Sequence, residues 1–119
     1  MDIKINSNEA IIKILIILAN ADGNYHGNEQ AFIKDIVKKR GVSNKIYNEI
    51  LNETNDSNKS YKDLCMETVD LIKDPILRKE SLSELTSLAA ADFILHEDEM
   101  FLLQIIAEKW NMFQESSHA

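Results

Sequence analysis

The chain has 119 residues, a length typical of a single domain. Hydrophobic residues make up 45% of it, but it contains only 3 glycines and 1 proline, a balance that favours long helices over a turn-rich β-fold. Its net charge of −7 repels phosphate backbones and argues against a nucleic-acid partner.

The cysteine content and the first apolar segment indicate a cytoplasmic protein. Cys65 is the only cysteine, which excludes an intrachain disulfide and a Cys-rich metal knuckle, and its helical spacing from apolar neighbours predicts burial. The apolar run over residues 10–19 is interrupted by Lys13 and is too short to span a bilayer. Residues 1–9 lack the positive charge of a signal peptide. We therefore expect no membrane insertion.

The first predicted helix belongs at the centre of a bundle. Ser7 can cap a helix over about residues 8–20, and its apolar side chains cover nearly every direction around the axis. A second helix is predicted over about residues 28–40. It ends at Gly41, which occupies the position favoured for a C-terminal cap.

Four further helices are predicted, and capping signals open the first three of them. Ser43 begins the third, Ser60 with Asp63 begins the fourth, and Asp74 before Pro75 begins the fifth. The polar, non-periodic residues from Asn52 to Lys59 predict a surface connection. The predicted spans of these four helices are 43–51, 60–72, 75–91 and 97–112.

One unit, a helix followed by an acidic loop and a second helix, occurs twice. Asp92 follows Asp22 by 92 − 22 = 70 residues, and the same offset gives 8 identities over the 23 positions 18–40. Average composition would give about one or two. Each unit should fold as an antiparallel hairpin.

The predicted fold is therefore all-α. We expect one domain over residues 1–119, a bundle of about six to seven helices built from two pseudo-symmetric hairpin halves. The halves cover about residues 8–51 and 60–113.

The repeated loop is not an EF-hand. Asp22 and Gly27 occupy the first and sixth positions of such a calcium loop, but Ile33 stands where the bidentate Glu is required. In the second copy, Glu97 replaces the required Gly.

Two roles remain open for the repeated acidic residues. As structural residues, Glu29 and Glu99 would fold back onto the helix starts at His26 and His96 in capping boxes, and the Asp residues would fix the turns. As ligands, the carboxylates would bind Ca²⁺, Mg²⁺ or Mn²⁺, whereas the histidines would favour Zn²⁺. The candidate metal ligands are Asp22, Glu29, Asp92 and Glu99, with His26, His96, Glu97 and Asp98 as possible additions.

These motifs resemble a known family. Ala21-Asp22-Gly23 followed by Glu29, echoed by Ala91-Asp92 and Glu99, is similar to the TerB-like domain of tellurite-resistance proteins and DnaJ-like co-chaperones. The resemblance covers most of residues 8 to 113, although Phe93 replaces the loop Gly and histidines replace a small polar residue. It implies a helical bundle linked to stress responses, with divalent metal bound at Asp22, Glu29, Asp92 and Glu99.

No catalytic motif is present in the sequence. It shows no Gly-rich phosphate loop, no Ser/His/Asp set and no Cys/His pair. We expect a non-enzymatic module that binds a divalent cation and other proteins in a stress or tellurite-resistance type response. The alternative is a protein-interaction scaffold whose acidic loops are purely structural.

Overall fold

Six α-helices make up most of the chain that the computed structural model describes, namely residues 6–20, 27–89 and 97–110. They are α1 (Ser7–Asn20), α2 (Gly27–Lys39), α3 (Asn44–Asp56), α4 (Tyr61–Val69), α5 (Pro75–Ala89) and α6 (Glu97–Lys109). These ranges contain no strand, and the predicted all-α class is confirmed. No helix within them combines the length and apolar character needed to cross a membrane.

The predicted central position of the first helix is confirmed. Every residue of α1 from Ala10 to Ala19 is buried except Lys13, and α1 packs against all five other helices. Lys13 forms an ion pair with Glu53 of α3, with 2.8 Å between Nζ and Oε1. Burying one Leu or Ile side chain contributes about 1.5–3 kcal/mol, so α1 supplies much of the stability.

The N-terminal cap of α1 is Asn6, and the prediction of Ser7 was wrong by one residue. Asn6 Oδ1 accepts a hydrogen bond from the backbone N–H of Glu9 at 2.9 Å, and Glu9 Oε1 accepts one from the backbone N–H of Asn6 at 3.1 Å. This reciprocal capping box needs Glu three residues after the cap. Only Asn6 has that spacing, although Ser7 and Asn8 are also good cap residues.

Helix α2 ends as its sequence predicts. Gly41 has a φ of 71°, the left-handed conformation that glycine adopts without strain. The backbone N–H of Val42 donates to the Val37 carbonyl at 3.0 Å, and that of Gly41 donates to the Lys38 carbonyl at 3.1 Å. These two bonds form a Schellman motif. Ser43 then caps α3, as predicted.

Helix α3 continues to Asp56, so the predicted surface connection from residue 52 was wrong for its first five residues. Two contacts extend the helix despite its unfavourable composition. Thr54 is buried and its hydroxyl donates to the Ile50 carbonyl at 2.8 Å. Glu53 pairs with Lys13 of the central helix. The burial of Thr54 and the Lys13–Glu53 pair are tertiary contacts, and here they override weak local propensity.

Ser60 caps α4 and Asp74 caps α5, both as predicted. Helix α4 ends at Val69 and not at the predicted Ile72. The backbone N–H groups of Leu71 and Ile72 donate to carbonyls three residues earlier, which tightens the last turn and ends the α-helix.

In each predicted hairpin, a contact joins the start of the first helix to the end of the second. Arg40, just after α2, donates from Nη1 to Asn8 Oδ1 at 2.9 Å. Adding the offset of 70 gives Arg78 and Trp110, and the Arg78 guanidinium lies 5.7 Å from the centre of the Trp110 ring. Helices α2 and α6 each pack against both α1 and α5. Helices α1 and α2 are therefore antiparallel, and so are α5 and α6. The two-fold axis that relates these two pairs stays a prediction.

Candidate metal centre

Glu29 is the predicted ligand whose position and burial the structure defines. It is the third residue of α2 and is only 1% exposed, with both carboxylate oxygens shielded from solvent. It lies one helical turn before Ile33 and therefore begins the stripe that continues through Ile36. The periodicity that buries these two isoleucines also buries the Glu29 carboxylate.

A buried carboxylate requires a compensating environment. Removing an ionised carboxylate from water is costly unless hydrogen bonds or a positive charge balance it. The first turn of a helix supplies backbone N–H groups and the positive end of the helix dipole. A bound divalent cation would supply a larger positive charge. The position of Glu29 therefore suits both predicted roles, the cap and the metal ligand.

In the second copy, the corresponding Glu has the same position in its helix. Glu97, Asp98 and Glu99 are the first three residues of α6, so Glu99 is third in its helix, as Glu29 is in α2. Both helices that follow the repeated loops therefore have a Glu as their third residue.

The other predicted ligands lie outside the described residues. They are Asp22, His26, Asp92 and His96. Within residues 6–20, 27–89 and 97–110, no three His, Cys, Asp or Glu side chains of defined position form a group that could hold a metal ion. Glu29 is thus the one predicted ligand whose side-chain environment is defined.

A charged cluster that was not predicted from the sequence lies at the other end of α2. Arg40 Nε and Nη2 donate to the two carboxylate oxygens of Glu84 at 3.1 and 2.9 Å. Nη2 also donates to Glu80 at 3.3 Å, and Nη1 to Asn8 at 2.9 Å. The side chains of Arg40 and Glu84 are 6% and 9% exposed. This cluster ties the end of α2 to the start of α1 and to α5.

Helical spacing gave a signal for this cluster. Arg40 lies four residues after Ile36, and Glu84 lies four residues before Leu88, so both charges continue buried apolar stripes. Two opposite charges in core positions of different helices are expected to pair. Since each carboxylate oxygen of Glu84 accepts from the guanidinium, we assign the cluster a structural role.

Cys65 is buried, as predicted, and burial raises the pKa of its thiol from 9.0 to about 12. At pH 8 the folded protein should therefore contain about a thousandfold less thiolate than the unfolded chain. We expect an aromatic disulfide reagent to label Cys65 rapidly in denaturant. In the native protein, labelling should be only as fast as the unfolding that exposes the thiol. Fast labelling of the native protein at pH 8 would contradict this burial.

The raised pKa of Cys65 also makes stability depend on pH. Because only the unfolded chain releases this proton between pH 9 and 12, Cys65 lowers the free energy of unfolding as the pH rises through that window.

The chain matches the model of a known protein family. The family model described as "Tellurite resistance protein TerB" matches residues 8–118. The comparisons with curated proteins and with solved structures gave no match. Because the match covers nearly all of the chain, including both predicted acidic loops, this protein belongs to the TerB family of tellurite resistance proteins.

Proposed function

We propose that this TerB chain is a non-enzymatic cytoplasmic module that binds a divalent cation and acts with other proteins in a stress or tellurite-resistance type response. Family membership supports the type of response. The observation that carries the metal proposal is the buried Glu29 carboxylate, which follows the first repeated acidic loop by only a few residues. A carboxylate shielded from water gains more from a nearby cation than an exposed one does.

The residues suit a hard cation. Asp22, Glu29, Asp92 and Glu99 would supply carboxylate oxygens, the ligands that Ca²⁺, Mg²⁺ and Mn²⁺ prefer. Recruiting a histidine from either loop would shift the preference to Zn²⁺. The net charge of −7 raises the local concentration of any cation. Cation binding would stabilise the starts of α2 and α6 without any chemical reaction.

The interaction scaffold with structural loops is the alternative, and one observation favours it. Glu29 and Glu99 are each third in their helices, the position that a capping box uses. Glu9 shows this arrangement at the third position of α1.

Substituting Gln at both positions separates these functions. We expect the Glu29→Gln/Glu99→Gln variant to keep the metal-free melting temperature of the parent, because Gln can also serve in a capping box. It should lose the rise in melting temperature that metal gives the parent. This rise corresponds to about 2.7 kcal/mol of added stability when free metal exceeds the Kd a hundredfold. Thermal melts with Ca²⁺, Mg²⁺, Mn²⁺ and Zn²⁺, each checked by calorimetry, measure both quantities.

Glu9→Gln is the matched control, because Glu9 is a third-position acid in a capping box that no metal proposal includes. It should retain the full metal-induced rise. An equal rise in the parent and the double variant would show that neither Glu29 nor Glu99 is a ligand. If no cation binds the parent at millimolar concentration, the scaffold function is favoured.

A further inference from the structure

A second candidate binding site lies between α2 and α3, the two helices that meet at the Gly41 turn. Both pack against α1, and the groove between them has a volume of about 500 Å³. This size is within the range of ligand-binding clefts. Glu29, the one predicted metal ligand whose side chain is described, does not line the groove, so this inference does not rest on the metal proposal.

The groove follows one stripe of each helix. On α2 the lining residues are Gln30 and Lys34, four residues apart. On α3 the stripe begins at Asn44 and ends at Asn55, with buried Tyr47 in between. Eleven residues of helix rise by about 16 Å, the length of about five residues of extended chain.

Carboxamides dominate the lining. Asn44, Asn48 and Asn55 are exposed along the α3 side, and Gln30 lines the α2 side. Each carboxamide carries both donors and an acceptor, which matches the paired N–H and C=O groups of a peptide backbone. Asn44 and Asn48 are about 6 Å apart along the helix, close to the two-residue repeat of an extended strand.

The described lining of the groove has a charge opposite to that of the whole protein. The chain carries 20 acidic and 13 basic residues, yet among the described residues that line the groove none is acidic and only Lys34 is charged. Along the chain, Lys34 is closer to Gly41 than Gln30 is. Asn44, on the other side of the turn, is closer still. We therefore expect the positive charge to lie within the row of carboxamides, where it would meet a side chain of a bound segment and not its terminus.

We propose that the α2–α3 groove binds an extended segment of a partner protein whose acidic side chain pairs with Lys34 while its backbone bonds to the asparagines. A charge-assisted hydrogen bond to a carboxylate gives this site its preference for acidic segments. The three asparagines contribute backbone recognition that does not depend on the ligand's other side chains.

The test is nuclear magnetic resonance titration of the ¹⁵N-labelled full chain with a blocked peptide, acetyl-Thr-Ser-Glu-Ser-Thr-amide. We expect saturable shifts in the signals of Lys34, Asn48 and Asn55. The same peptide with Gln at its centre should bind about tenfold more weakly, the effect of losing one charge-assisted bond. A Gln-centred peptide with a free C-terminal carboxylate should bind no better than its blocked form.

Two variants of equal charge change provide the controls. Lys34→Gln should abolish the preference for the Glu-centred peptide, whereas Lys38→Gln, one turn further along α2 and outside the groove, should leave it unchanged. Shifts confined to other surfaces, no binding at millimolar peptide, or equal affinity for the Glu and Gln peptides would overturn the proposal. Tighter binding of the free C-terminal carboxylate would overturn it in favour of terminus recognition.

Discussion

Replacing Arg40 with leucine should lower the free energy of unfolding by about 3–5 kcal/mol, the cost of removing one partner from a buried ion pair. The guanidinium makes four hydrogen bonds, to Asn8, Glu80 and both oxygens of Glu84. Without it, the Glu84 carboxylate stays buried and keeps the more distant Lys39, at 3.5 Å. Urea denaturation followed by circular dichroism measures the loss.

The control for this prediction is a solvent-exposed ion pair on the protein surface. Lys59 and Glu67 form such a pair with both side chains 53% exposed, and Glu67→Gln should change stability by no more than about 1 kcal/mol. The double variant Arg40→Leu/Glu84→Leu should recover most of the loss, because it leaves no unpaired charge in the core. A loss below about 1 kcal/mol for Arg40→Leu alone would show that solvent reaches the cluster.

Replacing Leu15 with alanine should lower the free energy of unfolding by about 2–5 kcal/mol. The substitution leaves a cavity in the core beside α1, the helix that contacts every other described helix. Leu15 is 0% exposed, and its neighbours Ile14 and Ile16 are equally enclosed. The packing around them cannot collapse to fill the space without moving several helices. Denaturant unfolding measures this change in stability: the midpoint concentration should fall, while the slope of unfolding free energy against denaturant stays constant.

Leu71→Ala is the matched control, since Leu71 is 47% exposed. It should alter stability by less than about 0.5 kcal/mol. A similar small change for Leu15→Ala would contradict the central position of α1.

Local chemistry made most helix boundaries predictable. Ser43, Ser60 and Asp74 cap their helices and Gly41 ends α2, because each acts through hydrogen bonds or backbone geometry within a few residues. Boundaries that depend on distant contacts were predicted less well. Helix α3 extends to Asp56 through contacts that include the pairing of Glu53 with Lys13, forty residues earlier in the chain.

The candidate site divides in the same way. The repeat identified Glu29 and Glu99 and placed each near the start of a helix, but its spacing alone could not show that the Glu29 carboxylate is buried. Burial depends on which face of α2 turns toward α1, and packing sets that orientation.

By itself, the sequence determined the all-α class, the central first helix and most of the caps, because periodicity and capping are local properties of the chain. Only the tertiary structure decided that Arg40 pairs with Glu84, and that α2 and α3 enclose a carboxamide-lined groove. Both features join residues of different helices, and their geometry follows from how those helices pack.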